Sequence, residues 1–296
     1  MATVTGAAPQ PGLRQLIGRA VPYLLLAPGI AWLILFYAIP SLQMFLYSVS
    51  TGSLEEGFVL SFTPDAYVKG ITQFRTQFGN SLLYGGTATV LTIIIGFPVA
   101  YTIAFRGGRY RNLILFMVIA PFFTSFLIRT ISWKILLGDE GPLLGPLKHT
   151  IGILPGTFTL TGTPVAVVAG LTYNFLPFMI LPLYVALEKI DVRLIEAAQD
   201  LYATRWGAFR RVTLPLALPG VFAGSILVAI PAMGDFVNAE LLGSPQTRMI
   251  GNVIQNRFLI QNDYPVAAAL SFILMFGILA AVTIYARFLG TERLTG

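Results

Sequence analysis

Six predominantly apolar stretches, each near the roughly 20 residues that a helix needs to cross a hydrocarbon core, dominate this chain. They lie near Val21–Tyr47, Ser81–Phe105, Leu113–Leu136, Pro164–Leu187, Leu214–Phe236 and Pro265–Arg287. Inside lipid a backbone N–H or C=O finds no water, so each crossing must satisfy its own polar groups as a helix. The expected fold class is therefore an all-α integral membrane protein with six transmembrane helices. Composition agrees, because only 11% of the 296 residues are charged, against about 25% in a soluble domain. The first stretch is far longer than the apolar core of a signal peptide and no A-x-A site follows it, so it reads as an uncleaved helix.

Lys and Arg are unevenly divided between the connections. One side collects Arg14, Arg19, Arg106, Arg109, Arg111, Lys189, Arg193, Arg205, Arg210, Arg211, Arg287 and Arg293. The other holds Lys69, Arg75, Lys148, Arg248 and Arg257, while Arg129 and Lys134 belong to the third stretch. The richer side is expected to be cytoplasmic, which puts both termini inside. The organisation expected is a cytoplasmic segment 1–20, a membrane domain 21–287 and a cytoplasmic tail 288–296. Three longer connections, Ser48–Asn80, Leu137–Thr163 and Val237–Tyr264, fall outside. The net charge of +6 reports orientation in such a chain, not an affinity for nucleic acid.

Several chemistries are excluded by what the sequence lacks. With no cysteine there is no disulfide, thiolate metal site or Cys nucleophile. The single histidine, His149, falls in an external connection and leaves a metal few ligands. No G-x-x-x-x-G-K-[ST] phosphate loop, G-x-S-x-G elbow or H-E-x-x-H motif occurs. Prolines at 28, 40, 98, 121, 177, 182, 219 and 231 interrupt the apolar stretches. Such breaks gather where helices bend around a cavity or move, although proline is also generally commoner in membrane helices.

Between the fourth and fifth stretches stands a charged island, Glu188–Pro215. Asp191 can cap a helix whose apolar positions Leu194, Ile195, Ala198, Leu201 and Tyr202 recur at helical spacing. Thr204 can cap a second short helix, Arg205–Val212, expected to end at Leu214–Pro215. On physical grounds alone the pair could lie on headgroups, anchored by Trp206, Phe209, Arg210 and Arg211, or could dock on another protein.

The residue pattern decides between these. Glu196-Ala197-Ala198, then Tyr202, then Val212-Thr213-Leu214-Pro215 resembles the E-A-A-x3-G-x9-I-x-L-P loop of permease subunits in ATP-binding-cassette importers. That resemblance implies a coupling loop that docks on a separate ATPase through Glu196, Ala197, Ala198, Tyr202, Thr204, Arg205, Gly207, Val212, Leu214 and Pro215. Tyr202 stands where the family usually has glycine, and a turn between helices often needs glycine's freedom. The stretches Pro121–Thr130 with Trp133, Phe175–Tyr184, Gly234–Val237, Leu241–Gly243 and Met249–Asn252 are similar to the spermidine/putrescine-type branch of these permeases. Relatives in that branch also carry ferric ion, opine-like compounds and other small solutes.

The resemblance implies a second, homologous permease chain, two cytoplasmic ATPase subunits that bind ATP and Mg, an extracytoplasmic solute-binding protein and a bacterial inner-membrane location. No cofactor is expected in this chain itself. Ionisable residues in or beside a span cost about 2.5–3.5 kcal/mol on insertion scales and usually face a cavity or a partner. Asp235 and Arg129 are the leading candidates for the substrate pathway, with Glu240, Trp133, Tyr173, Asn174 and Asn238 around them. A cationic amine could pair with Asp235 and Glu240 and lie over Trp133 or Tyr173. The alternative for Asp235 and Arg129 is that they pair with each other or cap helix ends. A secondary transporter would need more intramembrane acids than this sequence has.

Overall fold

A computed structural model describes Tyr23, residues 25–150 and residues 155–289. The expected N-terminal segment, the Val21 start of the first stretch and residues 290–296 of the tail lie outside the described residues. Five helices are long and apolar enough to cross a membrane: α1, Leu25–Ser48; α3, Arg75–Arg106; α6, Pro164–Glu188; α8, Arg205–Gly234; and α11, Tyr264–Leu289. The sixth crossing is a bent pair, α4 (Gly108–Phe123) and α5 (Phe126–Leu136), whose axes differ by 94°. A short antiparallel hairpin, β1 (Ser50–Ser53) with β2 (Gly57–Leu60), and helix α2, Asp65–Gln73, join α1 to α3. The all-α expectation therefore holds with one small exception outside the membrane helices.

Three of the six expected stretches change, the fifth by starting at Arg205, inside the charged island before it, and the other two for identifiable local reasons. The third stretch breaks because Pro121 ends an i→i−4 ladder: residues Ala120–Phe123 tighten into a 3-10 turn and Thr124 turns extended at ψ 144°. The second stretch starts earlier, at Arg75, because polar residues in its first turns meet partners. Asn80 donates Nδ2 to the Arg248 carbonyl at 2.9 Å, and Ser81 accepts the Ile250 N–H at 3.0 Å.

The core forms where α3, α6 and α8 pack together, with Ala88, Ile103, Leu171, Met179, Leu183 and Val228 all buried. Close approach of α6 and α8 depends on Gly220 and Gly224. A Cβ on Gly220 would sit 2.6 Å from the Ala186 Cβ, and one on Gly224 would sit 2.6 Å from the Met179 sulfur. Helix α1 is peripheral, with its apolar side chains outward, and joins α11 through aromatic contacts that include Phe45 on Phe272 and Tyr47 on Tyr264.

The connection expected as an external loop, Val237–Tyr264, is not a surface loop throughout. It folds into α9 (Val237–Leu242) and α10 (Ile250–Leu259), with Asn238, Leu242, Met249 and Ile250 fully buried. These short apolar runs are below spanning length, yet they fill the space between α5, α6 and α11.

Candidate functional site

The coupling-loop candidates form one continuous feature at the end of the molecule where α6 ends and α8 begins. Asp191 accepts the Arg193 N–H at 3.0 Å and starts helix α7, Val192–Asp200. Thr204 accepts the Gly207 N–H at 3.1 Å and starts α8. Both caps fall where the residue types place them. The second short helix, however, does not stop at Leu214–Pro215. It continues through a π turn, Phe209–Thr213, into the fifth crossing. Pro215 lacks an N–H and its ring would clash with the carbonyl four residues back, and the wider turn accommodates both defects. The second short helix and the span are therefore one continuous helix, Arg205–Gly234.

Between the two helices, Tyr202 takes the left-handed conformation, φ +62°. Its N–H bonds the Gln199 carbonyl at 2.9 Å and the next N–H, of Ala203, bonds the Ala198 carbonyl at 3.1 Å. This is a Schellman termination, the geometry for which glycine is favoured. Tyrosine adopts it with its side chain 98% exposed. Leu201 and Trp206 are also largely exposed beside it, whereas Phe209 turns inward against Phe97 and Tyr101 of α3. At the base, Arg111 bridges Glu188 and the Tyr184 hydroxyl, tying the α3–α4 turn to the end of α6. Glu196, Ala197 and Arg205 are exposed, Ala198, Gly207, Val212, Leu214 and Pro215 half-buried.

The pathway candidates divide into two groups. Asn174, buried near the middle of α6, donates Nδ2 to Thr130 Oγ and to Asn238 Oδ1, both at 3.1 Å. Because the Thr130 hydroxyl donates to the Phe126 carbonyl at 3.0 Å, it must accept from Asn174, which fixes the amide orientation. Asn174 Oδ1 and Asn238 Nδ2 are then left buried without partners. Asp235 accepts the Asn238 N–H at 2.7 Å and so caps α9. Glu240 accepts from Asn252 Nδ2 at 3.1 Å. Trp133 and Tyr173 lie ring to ring, with centroids 5.2 Å apart.

Arg129 is the second group. Its guanidinium is buried over the rings of Phe122 and Phe126, with no ion pair to Asp235. The helix-capping reading of Asp235 holds and the pairing with Arg129 does not. Thr130 and Asn252 were not among the expected site residues. Their signal was present as polar side chains inside apolar runs, but a helical threonine commonly bonds its own preceding turn.

Residues 92–289 match the family model described as binding-protein-dependent transport system inner membrane component. The chain belongs to this family. It is 41% identical over 242 residues, 81% of its length and 84% of the relative's, to the spermidine/putrescine transport system permease protein PotB of Haemophilus influenzae. The protein of that name from Escherichia coli is 37% identical over 82% of this family member and 88% of its own length. The fold is that of a solved bacterial ABC transporter involved in the import of the acidic polysaccharide alginate, with TM-score 0.74, 22% identity and coverage of 96% of this chain and 99% of that one. The alginate transporter in complex with an alginate pentasaccharide-bound periplasmic protein gives TM-score 0.76 at 20% identity, over 94% of this chain and 98% of the other. The family member is thus a multi-pass inner-membrane transport component, as the sequence indicated.

Proposed function

We propose that the chain is the transmembrane permease subunit of an ATP-driven importer of spermidine and putrescine. The observation that carries this reading is the 41% identity, over most of both chains, to a permease of that named system. The loop Glu188–Pro215 is its contact with a separate ATPase, which supplies the ATP and Mg chemistry. Three large apolar side chains, Leu201, Tyr202 and Trp206, stand exposed at the tip, and such a patch marks a protein contact. Since α8 is continuous from Arg205 to Gly234, displacement of the tip moves the span and, at its far end, Asp235. The rest of the assembly is a second permease, a second ATPase copy and an extracytoplasmic solute-binding protein. Both termini face the cytoplasm.

In this reading Asp235, Glu240 and the idle Asn174 Oδ1 offer acceptors to a protonated amine, with Trp133 and Tyr173 supplying ring faces. Uptake of labelled spermidine and putrescine by vesicles holding the full assembly tests the cargo. Both amines are expected to enter in an ATP-dependent manner. Asp235→Asn keeps an oxygen for the α9 cap but removes the charge; a charge-assisted hydrogen bond contributes about 1.5–3 kcal/mol, so uptake is expected to fall roughly ten- to a hundredfold. Wild-type rates in that variant would leave Asp235 as a cap alone. A second reading, an anionic solute, is favoured by one observation, the positive Arg129 beside the polar cluster, and predicts uptake of neither amine.

A further inference from the structure

Three charged side chains are buried among the described residues: Arg129, Lys148 and Asp235. Lys148 is bonded to Asp139 at 3.0 Å and Asp235 to the Asn238 N–H at 2.7 Å. Arg129 is different. It is 9% exposed, and its Nε and Nη1 are buried with no hydrogen-bond partner. The rings of Phe122 and Phe126, 5.1 and 5.7 Å from its Cζ, attract the positive charge but accept none of the guanidinium N–H groups in a directed way. An arginine stays protonated in proteins, so a buried, unpaired one calls for an anion.

The position of Arg129 narrows the source of that anion. The neighbouring Thr130 is bonded to Asn174 near the middle of α6, so lipid phosphates lie about half a bilayer away, roughly 15 Å. No acid among the described residues lies within ion-pair distance of Arg129. The edge of the bent crossing around Arg129 is apolar and outward-facing: Phe123 is 80% exposed, and Leu127, Ile128 and Ile131 are exposed with it. A surface that covers this edge must be apolar at the rim and carry one carboxylate at membrane depth. A cationic cargo cannot supply it.

We propose that Arg129 receives a carboxylate from a membrane helix of the second permease subunit, forming an ion pair between subunits that is enclosed by Phe122, Phe126 and the exposed edge of α5. This rests on the permease reading given above. The pairing also cancels a positive charge beside the polar cluster that would otherwise repel an amine.

The test is made on the complete assembly, recovered through a tag on this chain, with the amount of second permease retained as the readout. Arg129→Gln is expected to lower that amount by about tenfold or more, because a carboxylate is left buried and unpaired on the partner. Arg129→Glu is expected to abolish it. Replacing each membrane-embedded Asp or Glu of the second permease by Arg in turn is then expected to restore Arg129→Glu at one position, a rescue that a merely misfolded variant would not show. Full retention in Arg129→Gln, or no rescue at any position, would overturn the proposal. Association is read without solute, so the cargo reading fails separately: rescue together with no amine uptake leaves the ion pair standing. Loss of anion uptake in Arg129→Gln with normal association instead assigns Arg129 to a solute and rejects the ion pair.

Discussion

At Tyr202 two opposing residue-scale terms can be weighed. Holding a non-glycine residue in the left-handed region costs about 1–2 kcal/mol, while glycine in the unfolded chain loses about 0.5–1 kcal/mol more entropy on folding. With φ at +62° and no buried contact for the ring, relief of strain outweighs the entropy. Tyr202→Gly is expected to stabilise the detergent-solubilised chain by about 0.5–1 kcal/mol, measured by denaturant midpoint. Copurification of the ATPase should fall in the same variant, since the exposed ring is lost from the dock. A variant that is no more stable, or that binds ATPase as well as before, would contradict one or the other half of this account. The sequence exposed Tyr202 as an anomaly, but not its resolution, because whether a tyrosine tolerates φ > 0 depends on how the termination hydrogen bonds close. Asn174 was legible for a simpler reason, being an amide in an otherwise apolar run. Thr130 was not, because only the fold brings its hydroxyl to Asn174 Nδ2.

At the scale of elements, the apolar pattern located all six crossings but said little about their bends. Hydropathy is the same for a straight stretch and for α4 followed by α5 at 94°. The Pro121 break was visible only as one proline among many. The caps of α7 and α8 were legible because Asp191 and Thr204 act within three residues of themselves. The continuity of α8 was not legible, since a π turn leaves no periodic signature over five residues. Burial of α9 and α10 was equally hidden, because it depends on distant surfaces. Packing of α6 on α8 gives a sharper expectation. A Cβ at Gly224 would already meet the Met179 sulfur at 2.6 Å and its Cα at 3.3 Å. Overpacking a filled core costs about 1–3 kcal/mol or more, so Gly224→Leu should reduce membrane accumulation and thermal stability. Gly29→Leu, with open space around its Cβ position, should be nearly neutral. Equal accumulation of the two variants would show that α6 and α8 are not held this closely.

Across the whole molecule, the distribution of charge and the fold make a joint statement about orientation. The α3–α4 turn with Arg106, Arg109 and Arg111 lies at the same end as the loop Glu188–Pro215 with Arg193, Arg205, Arg210 and Arg211, tied by the Arg111–Glu188 bridge. The hairpin, α2 and the turns around α9 and α10 occupy the opposite end and carry few cations. Under the positive-inside rule this supports the proposed orientation, with the loop Glu188–Pro215 expected in the cytoplasm and the hairpin outside. Because the chain has no cysteine, single cysteines can report sidedness without background. The structure also selects where to put them. Side chains that hold their own element are unsuitable, as at Ser61 and Thr204, whose hydroxyls bond the Val49 carbonyl and the Gly207 N–H. Glu55, exposed at the hairpin turn, and Gln199, exposed on α7, have no such role in holding their elements. In intact cells expressing the chain without its ATPase, a membrane-impermeant maleimide is expected to label Glu55→Cys and to spare Gln199→Cys until the cells are opened. Labelling in the reverse order would place the loop Glu188–Pro215 outside, where no cytoplasmic ATPase could reach it, and the coupling function assigned to it would be lost together with the orientation.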